Sequence, residues 1–461
     1  MMPDSPQMCL NLFLSVAGYH AGAWRRPDSR VEELTTLGRT AEIVRQAEDA
    51  KLDAVFIADL LGWHDNDFGK HPRMHPLEPI TTLAALAGLT ERIGLIGTVS
   101  TSYTEPYNLA RYFASLDHLS GGRAGWNIVT SYGGGEQFGR DREPHDERYA
   151  RATEYLEVVC ALWDSWDADA VVNDRAGGTW ARADRIHRID HAGPYYQVAG
   201  PLNIPRSPQG RPVFAQAGSS EAGMAFGSTF GDVIFTAQPD LASARRFRET
   251  FRGRVRVRGR DPGSVKVLPG LMPIIGPSER AARELADEIA DAIDYPSAVR
   301  ALEWVLGDLG LADRDPDGPL PVELLKPPEE FDGGRTRYEI LYRLAVHERY
   351  TIRELLRYRA RAAGHHPVIG TAGQVAEEMI EWFDGGAADG FNLLVPHLPG
   401  GLDAITGELV PILRERGYFR AEYAGTTLRE HLGLDVPGPA GRDDAGRPDR
   451  ASSRSTFVKG I

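Results

Sequence analysis

The sequence predicts an α/β fold, a (β/α)8 TIM barrel with insertions, and three observations carry that expectation. Eight short apolar runs punctuate residues 9–395, most segments between them have helical period, and several runs end in small polar residues. Strands buried on both faces read as near-continuous apolar runs, and in parallel sheets they alternate with helices and gather chemistry where they end.

The elements follow in order. CLNLFLSV at 9–16 is the first strand, and the segment 40–51 then sets Ile43, Ala47 and Ala50 on one helical face. AVFIA at 54–58 is the second strand, followed by 79–90, where Leu83, Leu86 and Ala87 share a face. IGLIGTV at 93–99 leads into the helical run LARYFASLDH at 109–118. Next, LSGGRAGWNIVTS at 119–131 reads as a glycine turn, a basic residue and a buried strand with Asn127, Thr130 and Ser131 at its polar end. A helical segment at 150–166 follows. The runs at 212–217 and 233–236 flank a helix at 221–230; 265–275 precedes a helix at 279–292, and 391–395 follows one at 372–383.

Two stretches interrupt the alternation. Residues 167–211 are rich in Gly, Pro, Asp and aromatics and suit an excursion carrying a hairpin. Residues 294–364 hold a Pro/Gly/Asp-rich span at 313–335 and then a basic helix at 338–363. Excursions of this length in compact domains are usually lids, binding loops or disordered segments. The expectation is one barrel domain over 1–434, with a low-complexity tail at 435–461.

At 461 residues the chain can bury a large core, and 42% hydrophobic with 25% charged residues is ordinary for a soluble globular protein. A formal net charge of −13 argues against nucleic acid or an anionic membrane as the main partner. No apolar run approaches membrane-spanning length, and MMPDSPQ lacks the layout of a signal peptide. The only two cysteines, Cys9 and Cys160, sit in apolar stretches and suit a reducing cytoplasm.

Several residues are candidates for a site, each with a plain structural alternative. Asp59 closes the second strand, where a carboxylate either faces the barrel mouth or caps the next turn. Gly97, Thr98, Ser100 and Thr101 close the third strand; they either admit a planar ligand or fill a tight turn. QAGSS at 216–220 opens a helix, so Ser220 is an N-cap, a phosphate site, or both. His145 and Tyr149 share a helix face at i,i+4 spacing, which also suits a solvated first turn. The loop with His64, Asp65, Asp67, His71 and His75 has metal-binding composition but no recognised metal spacing, so no metal is expected. No G-x-G-x-x-G, P-loop, C-x-x-C or G-x-S-x-G motif occurs, which disfavours Rossmann dinucleotide binding, nucleotide hydrolysis and serine-esterase chemistry.

As a set, FIAD at 56–59, LARYFASLDHLSGGRAGWNIVTS at 109–131, HDERY at 145–149, PLNIPRSPQGRPVFAQAGSS at 201–220, FDGGAADGFNLLVPHLPG at 383–400 and GYFRAEY…TLREHLGL at 417–434 resemble one family. It is the FMN-dependent monooxygenases of the bacterial-luciferase-like superfamily, in the branch of nitrilotriacetate, dibenzothiophene-sulfone and long-chain alkane monooxygenases. The resemblance implies a (β/α)8 barrel that takes reduced FMN from a separate NAD(P)H-dependent flavin reductase. With O2 it would oxygenate a small organic substrate: a sulfone, an aminopolycarboxylate, an alkane or a natural-product intermediate. A homo-oligomer, dimer or tetramer, is expected.

By motif, Asp59 and Thr98 would contact FMN, His145 and Tyr149 would also bind it, Ser220 would hold its phosphate, and Asn127 would lie against the flavin. His20, in YHAGAW, would line the substrate cavity or make a structural hydrogen bond at a turn. Residues 294–349 match no lid motif of the family, so the substrate stays open. The competing readings are a luciferase-like flavin or deazaflavin oxidoreductase without oxygenation, a non-catalytic flavin carrier, and a metal-dependent hydrolase built on His64, His71 and His75.

Overall fold

The computed structural model describes residues 6–438, apart from 63–71, 73, 74, 132, 142, 332–334 and 363. The eight apolar runs form eight strands: β1 Cys9–Phe13, β2 Ala54–Ile57, β3 Gly94–Ser100, β4 Ala124–Val129, β5 Val213–Gln216, β6 Val233–Thr236, β7 Lys266–Ile275 and β8 Gly390–Leu394. Each pairs in parallel with the next, and β8 returns to β1 in the register Cys9↔Gly390 to Phe13↔Leu394, which closes the barrel.

Successive strand residues point to opposite faces. Cys9, Phe13, Ala54, Phe56, Ile96, Ala215, Phe235 and Leu268 form one buried cluster, the barrel interior. The intervening Leu10, Leu12, Val55, Ile57, Leu95, Trp126 and Phe214 pack outward against helices. The outer ring includes α1 Leu37–Asp49, α2 Pro79–Ala87, α3 Pro106–Leu119, α4 His145–Trp163, α5 Glu221–Phe230, α6 Leu241–Val257 and α7 Glu279–Asp291. Helix α4 starts five residues before the expected 150, which brings His145 and Tyr149 into its first turns.

The N-terminal end of the barrel is sealed. Leu428, Leu432 and Leu434 belong to the interior cluster. The arginine of the glycine turn works at this end too: the buried Arg123 guanidinium donates to Thr90 Oγ1 and to the carbonyls of Ala87, Thr90, Ile93 and Ser120. Only the opposite end, where strands finish and loops begin, is left for a site.

Residues 167–211 carry two antiparallel hairpins, Val171–Asp174 with Thr179–Ala181 and His191–Ala192 with Gln197–Val198. The basic helix expected at 338–363 is instead two helices. After α8 Tyr295–Leu306 come α9 Arg335–Val346 and α10 Ile352–Ala362. Arg349 in the break takes the left-handed φ of 57°. Thr351 and Glu354 then cap α10 reciprocally, with N–H to carboxylate at 2.8 Å and N–H to hydroxyl at 3.2 Å. These three helices share a core of their own around Leu302, Leu311, Tyr338, Leu344 and Leu355. A further strand, His366–Gly370, pairs with the second half of β7 and leads into α11 Ala372–Asp384.

Candidate active site

A cavity of about 380 Å3 opens at the C-terminal ends of the strands. Asp59 after β2, Ser131 after β4, Tyr149 of α4, Gly218 and Phe226 around the start of α5, and Trp304 of α8 all line it. The polar ends of β2, β4 and β5 thus converge, as barrel strands of this pattern should. A wider groove of about 560 Å3 beside Tyr107 and residues 195–201 holds none of the candidate residues.

Asp59 realises both of its sequence readings. Its Oδ1 accepts the Leu60 N–H at 2.8 Å, and the residue lines the cavity. Thr98 and Asn127 are register partners on β3 and β4, both buried on the inner face. Thr98 Oγ1 donates to the Ile57 carbonyl at 2.8 Å and accepts Asn127 Nδ2 at 2.9 Å. Asn127 Oδ1 is buried without a hydrogen-bond partner, and so is Oε1 of Gln216, a cavity residue at the end of β5. Buried acceptors left open are uncommon and mark places where a ligand donor fits.

Ser220 caps α5, its Oγ accepting the Gly223 N–H at 3.1 Å. A Cβ on Gly223 would stand 2.9 Å from the Gly218 carbonyl carbon, so the loop folds closely over the helix start only because glycine is there. A Cβ on Gly218 would lie 3.0 Å from the Tyr149 hydroxyl, which places that hydroxyl beside the same helix N-terminus. N–H groups at a helix start, the positive end of the helix dipole and a phenol are the groups an anion cradle requires. The His145 ring lies 5.0 Å from the Tyr149 ring, with Nδ1 3.0 Å from Asp146 Oδ1.

Of the predicted site residues only Asp59 and Tyr149 line the cavity; Thr98, Asn127, His145 and Ser220 stand outside its lining, and so does His20. Its side chain is buried in the turn after β1, where Nδ1 accepts the Gly22 N–H at 3.2 Å, as its structural alternative requires. His75 Nδ1 meets the Leu77 carbonyl at 3.0 Å, and burial holds its pKa below the usual imidazole value. His64, Asp65, Asp67 and His71 lie outside the described residues, and no group of three or more potential metal ligands occurs among those described.

The sequence reading missed a layer of rings across the barrel mouth. Phe13, Phe56 and Phe235 lie 5.6 to 6.0 Å apart, Tyr19 stands edge-on to Phe13, and His365 stacks on Phe235 at 5.0 Å and 7°. His365 reaches this position because β7 carries Gly270, where a Cβ would meet the imidazole Nδ1 at 2.3 Å. Burial pushes the His365 pKa down to about 3, so the ring is neutral. Histidine before a short strand carries no sequence signal for such a role; only the alternation of Phe13, Phe56 and Phe235 on their strands does.

The sequence matches the family model for luciferase-like monooxygenases over residues 13–389. It is 42% identical over 441 residues to N-acetyl-S-(2-succino)cysteine monooxygenase of Bacillus subtilis (strain 168), covering 95% of this chain and 99% of that protein. It is 41% identical over 449 residues to nitrilotriacetate monooxygenase component A of Aminobacter aminovorans, covering 95% and 98%. The fold is similar to that of riboflavin lyase, solved with modified FMN and riboflavin, with a TM-score of 0.80, 34% identity and 96% and 98% of the two chains covered. A closed barrel with its polar strand ends on one cavity agrees with that similarity, and the chain belongs to the luciferase-like monooxygenase family.

Proposed function

We propose that the cavity binds reduced FMN delivered by a separate NAD(P)H-dependent flavin reductase, and that the chain uses it with O2 to oxygenate a small organic substrate. Family membership makes the chain a flavin-dependent monooxygenase. The finer choice of FMN rests on the anion cradle at the start of α5, where Gly218, Gly223, Ser220 and the Tyr149 hydroxyl meet. FMN carries a terminal phosphate, and the α5 N-terminus supplies N–H donors for it. His145 stands beside Tyr149 to flank that phosphate.

The open acceptors Asn127 Oδ1 and Gln216 Oε1 suit N–H groups on a reduced flavin ring, with Asp59 on the cavity wall and Thr98 behind Asn127, to which it is hydrogen-bonded. Reduced FMN, when bound, supplies the activation of O2. The protein's part is to orient the ring, exclude water and hold the substrate over it. Aromatic walls and the Trp304 side of the excursion serve the second task. A partner that reduces flavin is supported by the relative named as a component A.

Both cysteines are free thiols, Cys9 buried, in keeping with a cytoplasmic setting. No helix among the described residues is long and apolar enough to cross a membrane. Assembly as a dimer or tetramer completes the reading and is checked by light scattering.

Anaerobic titration with reduced FMN, oxidised FMN and reduced deazaflavin tests the cofactor. Tightest binding of reduced FMN, with O2 uptake and peroxide release on mixing with air, is expected. Preference for deazaflavin, or no O2 uptake, would remove the reading.

A further inference from the structure

The groove of about 560 Å3 lies between the start of α3 and the second hairpin of the 167–211 excursion. Tyr107, Tyr195 and Tyr196 line it with Pro106 and Pro201, and the exposed Glu105 adds a carboxylate. Its wall is held firmly. Buried Glu154 of α4 accepts the N–H of Tyr195 at 3.1 Å, the N–H of Tyr196 at 2.8 Å and Nε2 of His191 at 2.9 Å. A Cβ on Gly193 would clash with the same carboxylate, so the hairpin closes on it only through glycine. Behind Tyr196 the fully buried Tyr155 ring stands edge-on at 5.6 Å, and its hydroxyl has no hydrogen-bond partner. Half-buried rings, an open hydroxyl and a carboxylate together suit an apolar segment that carries a cation.

The chain carries such a segment. Residues 439–461, which lie outside the described residues, read as a polar run of Gly, Pro, Ser, Asp and Arg that leads to TFVKGI at 456–461. Phe457, Val458 and Ile461 are its only large apolar residues, and Lys459 sits among them. The run holds five basic and three acidic residues, in a chain whose net charge is −13. Its starting point is fixed near the groove, because Arg206 donates to the Pro437 carbonyl at 2.8 Å and Pro201 of the groove wall is only five residues from Arg206. Five residues span at most about 18 Å. A linker as long as 439–455 has an r.m.s. reach of about 23 Å, and a tethered segment is most concentrated at a site when reach and span match. We propose that residues 456–461 of this chain dock in the Tyr107–Tyr195–Tyr196 groove, with Phe457 and Val458 on the phenol rings and Lys459 toward Glu105. The polar run before them is the tether. This inference is independent of the flavin reading.

The test is disulfide trapping in the full chain at low protein concentration. Ala199 lines the groove and is exposed. With Ala199→Cys and Val458→Cys together, mild oxidation by diamide joins the two introduced thiols within one chain, read by peptide mapping and mass spectrometry. Val458→Cys paired instead with Val257→Cys, at an exposed position on α6, links about tenfold less. Adding Phe457→Ser to the first pair cuts the linking about tenfold, since a docked ring and not the tether holds the segment in place. Glu105→Lys cuts it as well. Ala199, Val257 and Glu105 are exposed, so their replacement leaves the fold intact. Equal linking at the two positions, or linking that Phe457→Ser leaves unchanged, is random collision of a tether and overturns the proposal. A disulfide between two chains gives the groove to a second copy and overturns it too, as does the absence of any disulfide.

Discussion

Asn127 and Thr98 are joined across β3 and β4 by one hydrogen bond, Nδ2 to Oγ1 at 2.9 Å, and that bond orients the amide. Because Thr98 already donates its hydroxyl hydrogen to the Ile57 carbonyl, it can only accept from Asn127. The amide oxygen is therefore turned away and left open.

Thr98→Val keeps the shape and removes both bonds. It should cost about 1–3 kcal/mol, since a buried carbonyl and a buried amide both lose their partner. It should also lower reduced-FMN affinity by freeing Asn127 to turn, while Thr98→Ser retains both properties. Urea denaturation and anaerobic flavin titration check the pair. Unchanged flavin affinity in Thr98→Val would take Asn127 out of the flavin contact.

Gly223→Ala places a methyl group 2.9–3.0 Å from the backbone of Gly218, so the loop must lift from the start of α5. Alanine is otherwise the better helix former, by up to about 1 kcal/mol. The expected outcome is therefore a protein that stays folded while flavin affinity falls at least tenfold. Ser220→Ala should instead cost about 1 kcal/mol of stability through the lost cap. Equal flavin affinity in wild type and Gly223→Ala would remove the phosphate from this helix.

The barrel was readable because the strands are near-continuous apolar runs; Ala54 through Ile57 and Val233 through Phe235 are examples. Helix α6 was not, because arginines crowd its surface and only Phe251, Val255 and Ala244 are buried, a stripe too thin to stand out. His366–Gly370 has three apolar residues at most and finds its place only by pairing with β7. Of the site, Asp59, Tyr149 and the Ser220 turn showed themselves through strand ends and helix starts. His365 did not, because its position depends on Gly270.

Asp53 is fully buried beneath β1 and bonded to Arg420, which also donates to the His431 carbonyl at 2.7 Å. The Leu10 N–H adds a third bond at 2.7 Å. Burial pushes the Asp53 carboxyl up to about 6, against the pull of Arg420. Arg420→Met strands a buried carboxylate and should cost about 3–5 kcal/mol at pH 8. Without the guanidinium the carboxyl protonates more readily, so the loss should shrink at pH 5.5. A loss that does not vary between the two pH values, followed by urea denaturation, would show that packing and not charge is at stake.

Three buried histidines set the acid limit of stability. Burial lowers the pKa of His365 to about 3 and of His397 and His431 to about 4. In the unfolded chain each imidazole takes a proton as pH falls through about 6.5. Folded, these three imidazoles take none until about 4, so between these values they bind more protons in the unfolded state and stability falls with falling pH, while Asp53, which protonates near 6 only when folded, offsets one of them below that pH. Each histidine contributes about 1.4 kcal/mol per pH unit in that window. The denaturation midpoint should therefore drop from pH 6.5 to 4.5, less steeply below about 6 where Asp53 protonates. His431→Gln keeps a donor for the Gly425 carbonyl, which His431 Nε2 meets at 3.2 Å, and should lower the slope by one histidine's share, about 1.4 kcal/mol per pH unit. A slope unchanged in that variant would mean that His431 already carries its proton in the folded protein.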